Sequence, residues 1–302
     1  MTQARTALVL SGGGSLGAVQ VGMLQALAET DFAADMVIGA SVGALNGAFY
    51  ALHPAPDGVA RLAALWRGLR RSDVFPLSVP NALEALLGRR DYLTKADSLR
   101  RVVQHALGIR RIEDTRIALH IAATDVMSGD EVLLSSGDID DALLASAAIP
   151  LVFPQVTIGG RSLIDAGVSS NTPIASAVQL GAGRIVVLPT GTPCALREPP
   201  KGMTALALHV LALLSMRQLD RDVAEYSSAA AITVVPPLCP LRVAAFDFSH
   251  TAELIERAAT QTRAWLADGG LGRTGPLQVP LVHFHPPRPQ AQDEEGACEL
   301  PH

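Results

Sequence analysis

Short apolar runs alternate along the chain with longer stretches in which apolar residues recur every three to four positions. Runs of strand length stand at 6–11, 36–40, 116–124, 131–135, 184–190 and 232–236, and 156–165 reads as a hairpin turning at Gly159-Gly160. Helical periodicity covers 17–29, 42–52, 58–70, 81–88, 96–107, 139–148, 173–180, 202–230 and 250–267. Local chemistry marks several boundaries: Asn81 as an N-cap, Thr172-Pro173 as a cap with proline at the first helical position, and Gly181 as a helix stop. Strands alternating with helices predict an α/β fold with a mainly parallel central sheet covered by helices on both faces. Sites in such sheets form at the carboxyl ends of the strands.

Composition sharpens this picture. With 302 residues and 49% hydrophobic content, the chain holds enough apolar material for one domain over 1–285. Residues 286–302, rich in proline and acid, read as a flexible tail, and 71–95, with its prolines and paired arginines, as a cap or lid. A net charge of -5 argues against nucleic-acid binding, which needs a basic excess. The charge is uneven: Arg61 to Arg116 carries 12 Lys and Arg against 6 Asp and Glu. Cys194, Cys239 and Cys298 lack metal-ligand spacing and read as free thiols. The apolar N-terminal run is too short for a signal peptide, and the run near 203–216 is too short to span a bilayer, so a soluble, cytoplasmic protein is expected. Two segments are candidates for transient contact with a membrane surface, the helix around 202–216 and the basic stretch 61–116. The preferred readings are a core-packed helix for the first and solvated helix faces for the second.

The stretch SGGGSLGA at 11–18 follows a strand and fits two chemistries. As Gly12-x-Gly14-x-x-Gly17 it matches a dinucleotide cradle. As Gly12, Gly13 and Gly14 it is a bare loop whose amides can face one developing oxyanion. A cradle wants an acidic residue at the end of the second strand, and the chain has Ser41 there. Ser41 is centred in Gly39-Ala40-Ser41-Val42-Gly43, directly between a strand and a helix, the setting of a nucleophile elbow, and the Val42 amide is a further oxyanion donor. A serine needs a base. Asp165 ends a strand before a small-residue turn and is the best-framed candidate, whereas none of the eight histidines sits in a motif. A triad using His209 or His250 stays open, as does a catalytically degenerate lipid-binding or regulatory protein.

Taken in order, SGGGSLGA, GASVGALNGAFYAL and the stretch from AATDVMSGDEVLLSSGD to SLIDAGVSSNTP resemble the patatin-like phospholipases over roughly 5–190, with weaker similarity at 247–258. The resemblance implies a three-layer α/β/α fold and a Ser41–Asp165 dyad with the oxyanion hole at Gly12, Gly13 and Gly14. It also implies hydrolysis of fatty acyl esters of phospholipids, lysophospholipids or neutral lipids, without metal or cofactor. Two positions depart from the family pattern. Leu16 stands where an Arg or Lys is usual, and Ala166 follows Asp165 where glycine is usual, a residue less tolerant of positive φ.

Overall fold

A computed structural model describes residues 4–76, 92–196, 198–200 and 202–275. The helix expected at 81–88 with its Asn81 cap, most of the cap or lid stretch, Cys298 and the tail lie outside the described residues. Eight strands form one sheet: β1 Arg5–Leu10, β2 Met36–Ala40, β3 Ala118–Asp125, β4 Glu131–Leu134, β5 Val156–Ile158, β6 Arg161–Ile164, β7 Ala182–Leu188 and β8 Ala231–Val234. Their order is β5-β6-β3-β2-β1-β7-β8, with β4 also paired to β3. The run β3-β2-β1-β7-β8 is parallel, and β4, β5 and β6 pair antiparallel.

Described helices are α1 Gly17–Leu27, α2 Val42–Leu52, α3 Pro56–Gly68, α4 Arg71–Val74, α5 Asp97–Leu107, α6 Ile139–Ser146, α7 Ile174–Gln179, α8 Met203–Tyr226 and α9 Thr251–Ala267. The period-2 pleat decides which layer each strand residue joins. Leu8 and Leu10 of β1 pack with α1, α2, α3, α5, α6 and α9, whereas Ala7 and Val9 pack with α7 and α8. Because both faces are covered, β2 is buried throughout and reads as a continuous apolar run. The result is a three-layer α/β fold with a mixed, mostly parallel sheet.

Two local expectations resolve differently. Thr172 does not cap α7. Its hydroxyl pairs with Ser11 Oγ at 2.7 Å, and Pro173 occupies the cap position. Ala166 needs no positive φ, because it opens a 3-10 turn, Ala166–Val168, and the only non-glycine residues with positive φ among those described are Ser41 and Leu151. Gly181 does terminate α7, at φ 83°.

Candidate active site

Parallel β1, β2 and β7 deliver three loops to one edge of the sheet, headed by Ser11, Ser41 and the Pro189-Thr190 step. Ser41 bridges β2 and α2 at φ 51°, ψ -124°, a conformation worth about 1–3 kcal/mol of strain in a non-glycine residue. The turn is tight enough that a Cβ on Gly43 would lie 2.3 Å from the Leu10 carbonyl oxygen. The Ser41 amide donates to Ser146 Oγ at 2.8 Å, which pins the elbow from α6.

The glycine loop leaves β1 and enters a 3-10 turn, Gly14–Leu16, before α1. Gly14 takes φ 59° and backs onto the Ala245 carbonyl, 2.3 Å from where a Cβ would sit. Among the hydrogen bonds that set the loop are Gly12 N–H to the Asn171 carbonyl at 3.1 Å, Thr190 Oγ1 to the Gly12 carbonyl at 2.7 Å, and Ser15 N–H to the Ala245 carbonyl at 2.7 Å. Gly12 therefore has its amide engaged. The Gly13, Gly14 and Val42 amides have no hydrogen-bond partner among the described residues. Val42 opens an eleven-residue helix, so its orphan N–H and the positive end of that helix face the Ser41 position.

Asp165 reaches the same edge by a different route. Strand β6 runs back into the sheet antiparallel to β3, placing Ile164 opposite Thr124, two residues beyond the Ala122 that pairs with Ala40. Its carboxylate is buried. Oδ1 accepts the Gly167 N–H at 2.8 Å, and Oδ2 is buried with no hydrogen-bond partner among the described residues. Burial pushes the carboxyl up from 3.8 to about 6, against the opposing influence of the Ser41 hydroxyl and the Gly167 amide. The Ser41 hydroxyl thus stands near the carboxylate without an aligned bond to Oδ2.

Gly12, Gly13, Gly14, Leu16, Ser41, Asp165 and Asn171 line one cavity. Among the described residues no histidine lines it. His209 faces a neighbouring pocket, and His250 is exposed with Nδ1 3.1 Å from Glu253, so neither proposed triad base meets Ser41. Leu16 is buried in the cavity wall. Gly39 and Gly43 flank the serine as expected. No group of three or more His, Cys, Asp or Glu suited to a metal occurs among the described residues. The sulfurs of Cys194 and Cys239 lie 3.9 Å apart without a disulfide.

Sequence reasoning missed the residues that mount this site. Gln20 Nε2 donates to the Ser11 and Leu188 carbonyls at 2.8 and 2.9 Å, and its Oε1 accepts from Asn46, which in turn accepts from Trp66. Gln20, set between Val19 and Val21 near the start of the helix at 17–29, was the available signal. Thr190 and Asn171 become visible only once the strand order is known.

The reading of α8 as core-packed holds for one side only. Met216, Leu219 and Val223 are buried against the sheet, while Leu206, Val210 and Leu214 are 49%, 45% and 57% exposed. The other exposed large apolar residues among those described are Val126, Met127, Leu151 and Val168. Val168 follows Asp165 in its turn, Leu151 follows the cavity-lining Ile149, and Val126 and Met127 leave the carboxyl end of β3. These apolar side chains therefore stand on the segments that build the site's edge. No described helix is long and apolar enough to cross a membrane.

The sequence model of the family described as patatin-like phospholipase matches residues 8–178. An uncharacterized NTE family protein of Mycobacterium tuberculosis is 30% identical over 172 residues, 57% of this chain and 45% of its own length. Lysophospholipase nte1 of Neurospora crassa is 27% identical over 193 residues, 61% of this chain and 12% of its own. The chain thus spans less than half the length of these curated relatives. Among solved structures, VipD from Legionella pneumophila aligns with 88% of this chain and 67% of its own at 14% identity and a TM-score of 0.47. Human GIVD cytosolic phospholipase A2 aligns with 89% of this chain and 60% of its own at 12% identity and 0.47.

Proposed function

The chain belongs to the patatin-like phospholipase family, and from that premise we propose that it is a serine lipid acyl hydrolase working through Ser41 and Asp165. One observation carries the reading: a buried carboxylate with an unpartnered oxygen lies near a serine held in a strained elbow. A buried acceptor without a donor is costly unless the site uses it, and here it waits for the proton that Ser41 must lose.

In the first step Ser41 Oγ attacks the ester carbonyl carbon while Asp165 takes the hydroxyl proton. The Gly13, Gly14 and Val42 amides receive the tetrahedral oxyanion, each such donor being worth about 100- to 1,000-fold in rate. Collapse expels the alcohol, which takes the proton from Asp165. Water then attacks the acyl-serine, gives a proton to Asp165, and the second collapse releases the fatty acid and returns the proton to Ser41. A carboxyl with a pKa of about 6 is mostly ionised at pH 7, yet basic enough to share a proton in a dry site. The acyl chain has an apolar slot beside the serine, lined by Leu45, Phe75, Val102 and Phe153. The exposed apolar residues around the mouth support transient contact with a lipid surface.

A fluorophosphonate probe and p-nitrophenyl esters test the assignment. Ser41→Ala is expected to lose labelling and turnover, and Asp165→Asn to lose turnover with the fold intact. A probe that leaves Ser41 unlabelled, with no ester cleaved, would favour a lipid-binding protein on the same scaffold.

A further inference from the structure

Two thiols meet on the segments that hold the glycine loop. Cys194 lies in the irregular stretch after β7 and Cys239 in the one after β8, with their sulfurs 3.9 Å apart. Upstream of Cys194, Thr190 and Gly191 line the catalytic cavity, and Thr190 Oγ1 donates to the Gly12 carbonyl at 2.7 Å. Downstream of Cys239, the Ala245 carbonyl accepts the Ser15 N–H at 2.7 Å and the Ala244 carbonyl accepts the Ser15 hydroxyl at 3.2 Å. Leu241 links the two stretches, since its N–H donates to Cys194 Sγ at 3.3 Å and its carbonyl accepts the Ala195 N–H at 2.9 Å. The Cys239 side is anchored to α9. Gln261 Nε2 donates to the Pro236 and Pro237 carbonyls at 3.1 and 3.0 Å, and Arg257 donates to the Pro240 carbonyl at 2.6 Å.

The geometry points to a redox-modification site: Cys194 and Cys239 join as a disulfide that displaces the Thr190 side of the glycine loop and slows turnover. Closing the bond draws the sulfurs from 3.9 to about 2.0 Å. With the Cys239 side held by α9, the movement falls on Cys194 and passes through Pro193 to Gly191 and Thr190. The co-reactant is a low-molecular-weight disulfide. Cys239, the more exposed thiol, attacks it as the thiolate and forms a mixed disulfide, and the first departing thiolate takes up the proton that Cys239 lost. Cys194 then attacks Cys239 Sγ, and its proton goes to the second departing thiolate. The protein's two thiols lose two electrons, and the external disulfide gains them and leaves as two thiols. Burial first, and Cys194 beside it second, push the Cys239 thiol up to about 11 against the pull of Arg257. Little thiolate therefore exists at pH 7, and the site answers sustained oxidising conditions rather than a brief pulse. The bond is independent of the hydrolase reading, whereas its effect on rate rests on it.

The test equilibrates the full chain, carrying Cys298→Ser to remove the third thiol, with oxidised or with reduced glutathione. Peptide mass spectrometry is expected to find Cys194 joined to Cys239 in the oxidised sample. Its kcat for p-nitrophenyl butyrate is expected to fall about ten- to a hundredfold, the cost of shifting a catalytic loop by up to an ångström, and to return on reduction with dithiothreitol. Adding Cys239→Ser is expected to leave activity at the reduced level under both conditions. A pair that stays reduced, a bond that leaves kcat unchanged, or an equal loss in the Cys239→Ser chain overturns the inference. A second readout needs no turnover: hydrogen exchange of the Ser15 and Leu16 amides is expected to quicken on oxidation, and only where both cysteines are present. Exchange that does not change overturns the link to the glycine loop. A reduced chain that cleaves no ester, while the bond forms and exchange quickens, counts against the hydrolase reading and supports the site.

Discussion

Asp165 concentrates the energetics of the site in one side chain. Its carboxyl titrates near about 6 in the folded chain against 3.8 for an exposed aspartate, with burial as the first cause. A raised folded pKa means that the neutral form suits the fold better. Its contribution to stability is complete below pH 3.8 and is lost as pH rises through about 6. An upward shift of about two pH units corresponds to roughly 3 kcal/mol of strain at pH 8, an upper figure for so buried a group. Asp165→Asn keeps an acceptor for the Gly167 amide and removes that charge. Urea denaturation is therefore expected to find this variant at least as stable as the parent at pH 8, with the advantage gone at pH 4. Marked destabilisation at pH 8 would contradict a charge held there at a cost. The same titration predicts that kcat/KM for a soluble ester falls tenfold per pH unit below about 6.

At the scale of elements, the site depends on how strand ends are tied to the helices behind them. Gln20 of α1 bonds the carbonyls of Ser11 and Leu188, and so joins the ends of β1 and β7 at the root of the glycine loop. Gln20→Leu would orphan the Ser11 carbonyl, whereas the Leu188 carbonyl still accepts the Ser11 N–H and the Asn46 amide still donates to the Gly17 carbonyl, so the cost is about 1–3 kcal/mol. The expected outcome is a fold less stable by that amount and a kcat lowered more than KM is raised, since in the proposed mechanism the loop meets the transition state rather than the bound ester. Equal loss in both constants would show that Gln20 holds the substrate site generally.

These ties also explain what was legible beforehand. Strand β2 and helix α2 match 36–40 and 42–52 to the residue, because a wholly apolar run and a glycine-bounded turn leave little choice. The placement of Ser41 and the glycines at strand-to-helix turns was readable for the same reason: the pattern is local. The mounting residues were not, since Thr190 and Asn171 meet Gly12 only through strand order, which no local pattern encodes. Thr172 looked like a cap until Ser11, more than 150 residues away in the chain, engaged its hydroxyl. The Gly12 amide, expected to face the oxyanion, was likewise drawn to Asn171 by a tertiary contact.

At the scale of the molecule, the exposed apolar side chains of the described residues are not scattered. Leu206, Val210 and Leu214 recur at i, i+4 and i+8, so they form one stripe along α8, while its opposite side is buried on the sheet. The helix is apolar on two sides, which is why periodicity alone left it looking like core. It also supplies Leu211, Ala212 and Ser215 to the cavity that holds Ser41, so anything covering the stripe sits beside that cavity. A lipid surface is the cover consistent with the proposed substrate. Withdrawing a leucine-sized side chain from water is worth about 1.5–3 kcal/mol when complete, so three half-exposed ones account for a few kcal/mol of adsorption. Leu206→Gln/Val210→Gln/Leu214→Gln should leave turnover of a soluble ester and the midpoint of thermal unfolding nearly unchanged, because these side chains contribute little to the folded core. On vesicles carrying the same acyl ester, its rate at low lipid should fall ten- to a hundredfold and recover as lipid is raised, the mark of a lost surface affinity rather than of a damaged site. Equal loss on both substrates would place the stripe inside the catalytic machinery, and no loss on either would leave α8 an exposed helix unconnected with lipid.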